Sequence, residues 1–91
     1  MSLASKVAAH AKELRFVFCT SSEGSKGLRE FVKSSYVPLK KENPKFPLLV
    51  RECEGAQPRV MARFAKGKEE AISVEGMSAK EVEGVVEKLI S

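Results

Sequence analysis

Hydrophobic and polar positions divide the chain into six patterned segments. In Leu14 to Cys19 the residues Leu14, Phe16 and Phe18 share one parity and Arg15 and Val17 the other, and the types are aromatic or β-branched, so a first strand is predicted. Turn-forming residues Thr20 to Gly24 follow. Leu28, Phe31, Val32, Ser35 and Leu39 then recur at i, i+3, i+4, i+7 and i+11, the stripe of an amphipathic helix. Pro38 falls inside that stripe, where it removes a backbone donor and crowds the carbonyl four residues back, so a kink or tightening is expected before Asn43 and Pro44 end the helix.

Leu48, Leu49 and Val50 form an unbroken apolar run within Pro47 to Cys53, the pattern of a strand covered on both faces. Glu54 and Gly55 then turn the chain. A strand, a helix and a strand in about forty residues predict a right-handed crossover with parallel strands. After Pro58, Arg59 to Ala65 alternate, Lys66 to Lys68 connect tightly, and Glu69 to Val74 return as a hairpin partner. Ser78 and Glu81 have the spacing of a capping box, with Met77 and Val82 placed as its hydrophobic staple. Val82, Val85, Val86, Leu89 and Ile90 then give a helical stripe that must lie on the sheet. The order β-α-β then β-β-α predicts an α/β protein of the minimal thioredoxin-like fold: a four-stranded mixed sheet with helices packed on it.

Length confines this layout to one domain. The chain has 91 residues, and residues 1–13 read as an N-terminal arm ahead of a domain spanning 14–91. The arm is Ala-rich, with Leu3, Val7, Ala11 and Leu14 at helical spacing. It has no Arg and is short, which favours a retained arm over a cleaved targeting peptide. No apolar run approaches the roughly 18 to 20 residues needed to cross a bilayer.

Charge is uneven along the chain. Residues 1–68 hold fourteen Lys or Arg against six Glu, whereas residues 69–91 hold two Lys against six Glu, giving a basic body and an acidic end. That balance suits docking on an acidic protein surface or, less specifically, RNA. Arg51, Arg59 and Arg63 lie on strands in parity with Leu49 and Met61, and Glu52, Glu54 or a partner protein could pair with them. Lys26, Arg29 and Lys33 make the first helix basic. RNA recognition adds exposed stacking aromatics, and most of the five Phe and the one Tyr fit core positions, so protein docking is the favoured reading.

Catalytic ingredients are sparse, because there is no Asp and His10 is the single His. Two distant Cys and one His do not supply a zinc site, so no metal is expected. Gly24 and Gly27 lack the remainder of any phosphate-binding fingerprint. Cys19 occupies the place after strand one where a thioredoxin-like helix N-terminus favours a thiolate. The residues after it give Cys-x-x-Ser, so the local resolving thiol of a dithiol oxidoreductase is missing, and a monothiol reductase using Cys19 is the enzyme alternative. A parallel crossover ends both strands at one sheet edge, which brings Cys53 near Cys19. A disulfide there would stabilise the fold by roughly 3 to 4 kcal/mol; two reduced thiols are the other state open to the pair. Gln57 and Pro58 precede strand three, where thioredoxin-like folds commonly hold a cis proline, so Pro58 is a candidate for one.

The run NPKFPLLVRECEGAQPRVMARFAKG from Asn43 to Gly67, preceded by GLREFVKSSYVPLKKE and LRFVFC, closely resembles the small thioredoxin-like accessory subunits of mitochondrial respiratory complex I, the NADH:ubiquinone oxidoreductase. Its most distinctive part is Arg51-Glu52-Cys53, Gln57-Pro58, Ala62-Arg63-Phe64 and Gly67. The chain departs from the family pattern at Pro38 and at Met61, where a larger aromatic such as Trp is usual. The resemblance implies a non-catalytic subunit without a cofactor, on the matrix side of the inner membrane and not inserted in it. It would support assembly and stability by docking on other subunits, foremost the large iron-sulfur subunit of the matrix arm. No DNA partner is implied. The family's two Cys match Cys19 and Cys53, and the same domain family includes mitochondrial ribosomal proteins, so an RNA-binding ribosomal protein is the further alternative.

Overall fold

A computed structural model describes residues 11–90. The elements are β1 (Glu13–Phe18), α1 (Lys26–Glu42), β2 (Leu48–Glu52), β3 (Arg59–Arg63), β4 (Glu69–Ser73) and α2 (Ala79–Ile90), with short 3-10 turns at Glu23–Ser25 and Ala65–Gly67. The sheet order is β2-β1-β3-β4. β1 runs parallel to β2, with Phe16 opposite Val50, and antiparallel to β3, with Phe16 opposite Val60. β3 and β4 form the antiparallel hairpin, with Val60 opposite Ile72. The expected α/β order is therefore the observed one.

Period-two alternation sorts the strand residues between two faces. Leu14, Phe16, Phe18, Leu48, Val60 and Ala62 face one way and share a buried core with Leu28, Phe31 and Leu39 of α1 and Val82, Val86, Leu89 and Ile90 of α2. Phe16 and Phe31 meet with ring centroids 5.9 Å apart and planes tilted by 56°, a favoured aromatic geometry. Both helices thus lie on this face of the sheet. The two helices also pack closely at their N-terminal ends: a methyl group on Gly27 would run into the Met77 carbonyl.

Local chemistry sets the element ends. Ser78 Oγ accepts from the Glu81 amide at 3.2 Å while Glu81 Oε1 accepts from the Ser78 amide at 3.0 Å, the reciprocal cap expected at α2. At the end of α1, Asn43 donates from both its backbone and its side-chain nitrogen to the Leu39 carbonyl, at 3.0 and 3.1 Å. Lys40 Nζ donates to the Phe46 carbonyl at 2.8 Å. The β3–β4 connection is made by Lys66 and Gly67, both at positive φ of 64° and 76°.

Helix α1 continues through Pro38 and ends at Glu42, ahead of Asn43 and Pro44 as expected; Pro38 and Ser34 are both exposed, so water can hydrate the carbonyl that loses its donor. Two expectations are revised. The β2 strand is an edge and is not sandwiched: Leu48 enters the core, and Leu49 and Val50 are half-buried. Finally, Ala11 is buried and the Lys12 amide donates to the Arg63 carbonyl at 2.7 Å, so the end of the expected arm belongs to the domain. The rest of the arm lies outside the described residues.

Candidate functional site: a lowered thiol and an arginine-bearing sheet face

The loop between β1 and α1 is built around Ser25, which is fully buried. Its hydroxyl accepts from the Cys19 amide at 3.2 Å and from the Ser22 hydroxyl at 3.1 Å. Arg29 Nη1 donates to the carbonyls of Cys19 at 3.0 Å and Ser22 at 2.7 Å. Arg29 is thus a strut that holds the loop. One of its two terminal nitrogens is thereby committed inside the chain, and the side chain is half-buried.

Cys19 is buried in this loop. The Gly55 amide donates to its sulfur at 3.3 Å, and the Ser21 hydroxyl lies 3.7 Å away. The Ser21 amide first, then the Gly55 amide, the Ser21 hydroxyl and the Ser22 amide stabilise the thiolate, lowering its pKa from 9.0 to about 6 against the opposing effect of burial. Cys53 follows β2 at the same sheet edge, its amide bonded to the Phe18 carbonyl at 3.0 Å. The crossover therefore brings the cysteine-bearing segments together as expected. The expected disulfide is absent: both cysteines are free, Cys19 turned under the loop where the Gly55 amide meets its sulfur and Cys53 exposed.

The expected cis bond at Pro58 is also corrected, since no described peptide bond is cis. The turn after Cys53 reverses the chain through Gly55 at φ 80°, with the Ala56 amide bonded to the Cys53 carbonyl, and Pro58 enters β3 buried and trans. Its carbonyl accepts from the Val74 amide at 3.0 Å.

The second face of the sheet carries the arginines. Strand register lays Arg51, Val17, Arg59 and Ser73 in one row across the sheet, and Leu49, Arg15, Met61 and Ala71 in the next. A third row holds Glu13, Arg63 and Glu69. No described core residue of either helix belongs to this side. Glu13, mostly buried, pairs with Arg15 at 2.6 Å and Arg63 at 3.6 Å. Among the described residues neither Arg51 nor Arg59 takes part in an ion pair. Glu52 is not the partner of Arg51, because it faces the helix side with Leu48 and Val50.

The six expected docking residues therefore do not share one surface. Arg51, Arg59 and Arg63 stand on the face that no described helix covers, whereas Lys26 and Lys33 are exposed on α1, in the helix layer behind it. Arg15 and Glu13 join the sheet-face group. Their i, i+2 spacing on a strand was the available signal, hidden by placing Glu13 in the arm.

The fold and this loop define a thioredoxin-like domain of minimal size, with one lowered thiol and a serine where a local resolving thiol would stand. Residues 28–79 match the mitochondrial ribosomal protein L51 / S25 / CI-B8 domain, and the chain belongs to that family. It is 41% identical over 80 residues to NADH dehydrogenase [ubiquinone] 1 alpha subcomplex subunit 2 of Mus musculus, covering 88% of this chain and 81% of that protein. It is 43% identical over 79 residues to the NADH-ubiquinone oxidoreductase 10.5 kDa subunit of Neurospora crassa, covering 87% and 84%. A large ribosomal subunit protein of Schizosaccharomyces pombe is 28% identical over 71 residues, covering 78% of this chain and 49% of that protein.

Proposed function

We propose that the chain is a non-catalytic accessory subunit of mitochondrial complex I, held in the matrix peripheral arm and supporting assembly and stability by protein docking. The observation that carries this reading is the identity of 40 to 43% over 87 to 88% of the chain to mouse, fungal and plant proteins named as subunits of NADH dehydrogenase or NADH-ubiquinone oxidoreductase. The partners are other subunits of that complex, foremost the large iron-sulfur subunit that the sequence resemblance implies. The structure supports a docking role through its arginine-bearing sheet face, where Arg51 and Arg59 are exposed and, among the described residues, take part in no ion pair. No described helix is long and apolar enough to cross a membrane, which agrees with attachment through protein contacts.

The test is to tag the full chain, solubilise mitochondrial membranes gently and resolve them on a native gel. Co-migration with NADH dehydrogenase activity, and loss of assembled complex on depletion, are the expected results. Co-migration with ribosomal RNA would replace this reading with the ribosomal one, which the distant ribosomal relative keeps in view. A free low-mass band would point to the monothiol reductase instead, and would be followed by assaying Cys19→Ser.

A further inference from the structure

Sheets in small α/β domains are stabilised by a layer on each apolar face. Here α1 and α2 supply one layer, and the chain that joins β2 to β3, Cys53 to Pro58, is a turn too short to carry a helix across the other side. Among the described residues no element covers the other face, which has Val17, Leu49 and Met61 at its centre. Val17 is buried at the floor of that face, and Leu49 and Met61 are half-buried. Arg51 and Arg59 stand on the strands either side of β1, in register with Val17 and about 10 Å apart. That separation matches the diameter of an α-helix with its side chains.

We infer that this open face is the docking surface, and that it receives an amphipathic helix of a neighbouring subunit lying along β1, the missing second layer of the sheet. The inference rests on the accessory-subunit reading and says where the contact is made. The helix places apolar side chains on the half-buried Leu49 and Met61, above the buried Val17. Carboxylates on its two flanks meet Arg51 on one side and Arg59 on the other, since among the described residues these guanidiniums have no carboxylate partner and suit bidentate pairing. Arg15 and Arg63 are already engaged by Glu13 and serve to fix the floor. A protein surface is favoured over RNA because the centre of the face is aliphatic. Phe16 and Phe18 point to the core, so no aromatic ring on these central strands offers a base a stacking platform.

The experiment compares the full-length wild type, Arg51→Glu/Arg59→Glu and, as a control on α2, Lys80→Glu/Lys88→Glu, each expressed in mitochondria and followed by native-gel co-migration with NADH dehydrogenase activity. Thermal melts of the purified proteins establish folding, and Arg51→Gln/Arg59→Gln replaces the reversed pair if that variant does not fold. Incorporation of the sheet-face variant should fall about tenfold or more, as expected when charges meeting an acidic interface are reversed, with the α2 control, whose two lysines are exposed, incorporated as wild type. Normal incorporation of the sheet-face variant would overturn the docking face while leaving the accessory-subunit reading intact. Wild type that migrates with ribosomal RNA or free of any complex would overturn both.

Discussion

The two faces of the sheet come from the same four strands and differ by a single step along each. On the helix side, Leu14, Phe16, Val60 and Ala62 are apolar and almost wholly buried. On the other side, their chain neighbours Arg15, Met61, Arg59 and Arg63 are half-buried or exposed, and a carboxylate, Glu13, is buried among guanidiniums. Alternation thus assigns the helix-packed core to one face and leaves a largely charged surface on the other, with only Val17 and Glu13 buried there among the described strand residues. Substitutions one residue apart should accordingly have unlike consequences for the isolated domain.

The largest effect is expected for Phe16→Ala. Removing a ring that is 1% exposed should cost about 3 to 5 kcal/mol in denaturant unfolding, and a loss below about 1 kcal/mol would show that the helix-side core is loosely packed. Next comes Gly27→Ala, which by helix propensity alone would be favourable. The added methyl meets backbone at Met77, so a destabilisation of about 1 to 3 kcal/mol is expected; a gain would mean that the α1–α2 approach is wider than described. Ser78→Ala removes one half of the cap on α2 and should lower stability by about 1 kcal/mol.

Cys19→Ser acts within a pH window. The folded thiol titrates near 6 and the ordinary value is 9.0, so between these the unfolded chain binds the extra proton and stability rises with pH. The contribution is complete above about pH 9 and is lost as pH falls through about 6. Chemical denaturation of wild type and Cys19→Ser across that range should therefore diverge with rising pH, and parallel curves would refute a lowered thiol. The smallest effect belongs to Arg59→Ala, which removes an exposed side chain without an ion pair and should change stability by no more than about 0.5 kcal/mol. A large loss there would mean that the open face contributes to the isolated fold after all.

Several features are legible in the sequence because their causes are local. The capping box at Ser78 and Glu81 needs only the spacing that one helical turn imposes, and both hydrogen bonds form. The stripe Val82, Val86, Leu89 and Ile90 is buried as its 3.6-residue period requires. The parity of Arg51, Arg59 and Arg63 with Leu49 and Met61 also holds, since a pleated strand offers only two faces. The bracing role of Arg29 is not legible for the complementary reason: its partners are the carbonyls of Cys19 and Ser22, ten and seven residues away. No local pattern distinguishes a guanidinium that solvates a helix from one that folds back to brace a loop.

Sequence alone determined the elements, their order, the crossover that brings the cysteine segments to one edge, and the family, because periodicity, turn chemistry and motif identity are properties of neighbours along the chain. Tertiary structure decided which face the two helices would cover, that β2 would be an edge, and that Cys19 would turn under its loop to the Gly55 amide. These depend on contacts between residues tens of positions apart. Their energies are small and compete closely, so only the folded chain, in which all of them must be satisfied together, selects among them.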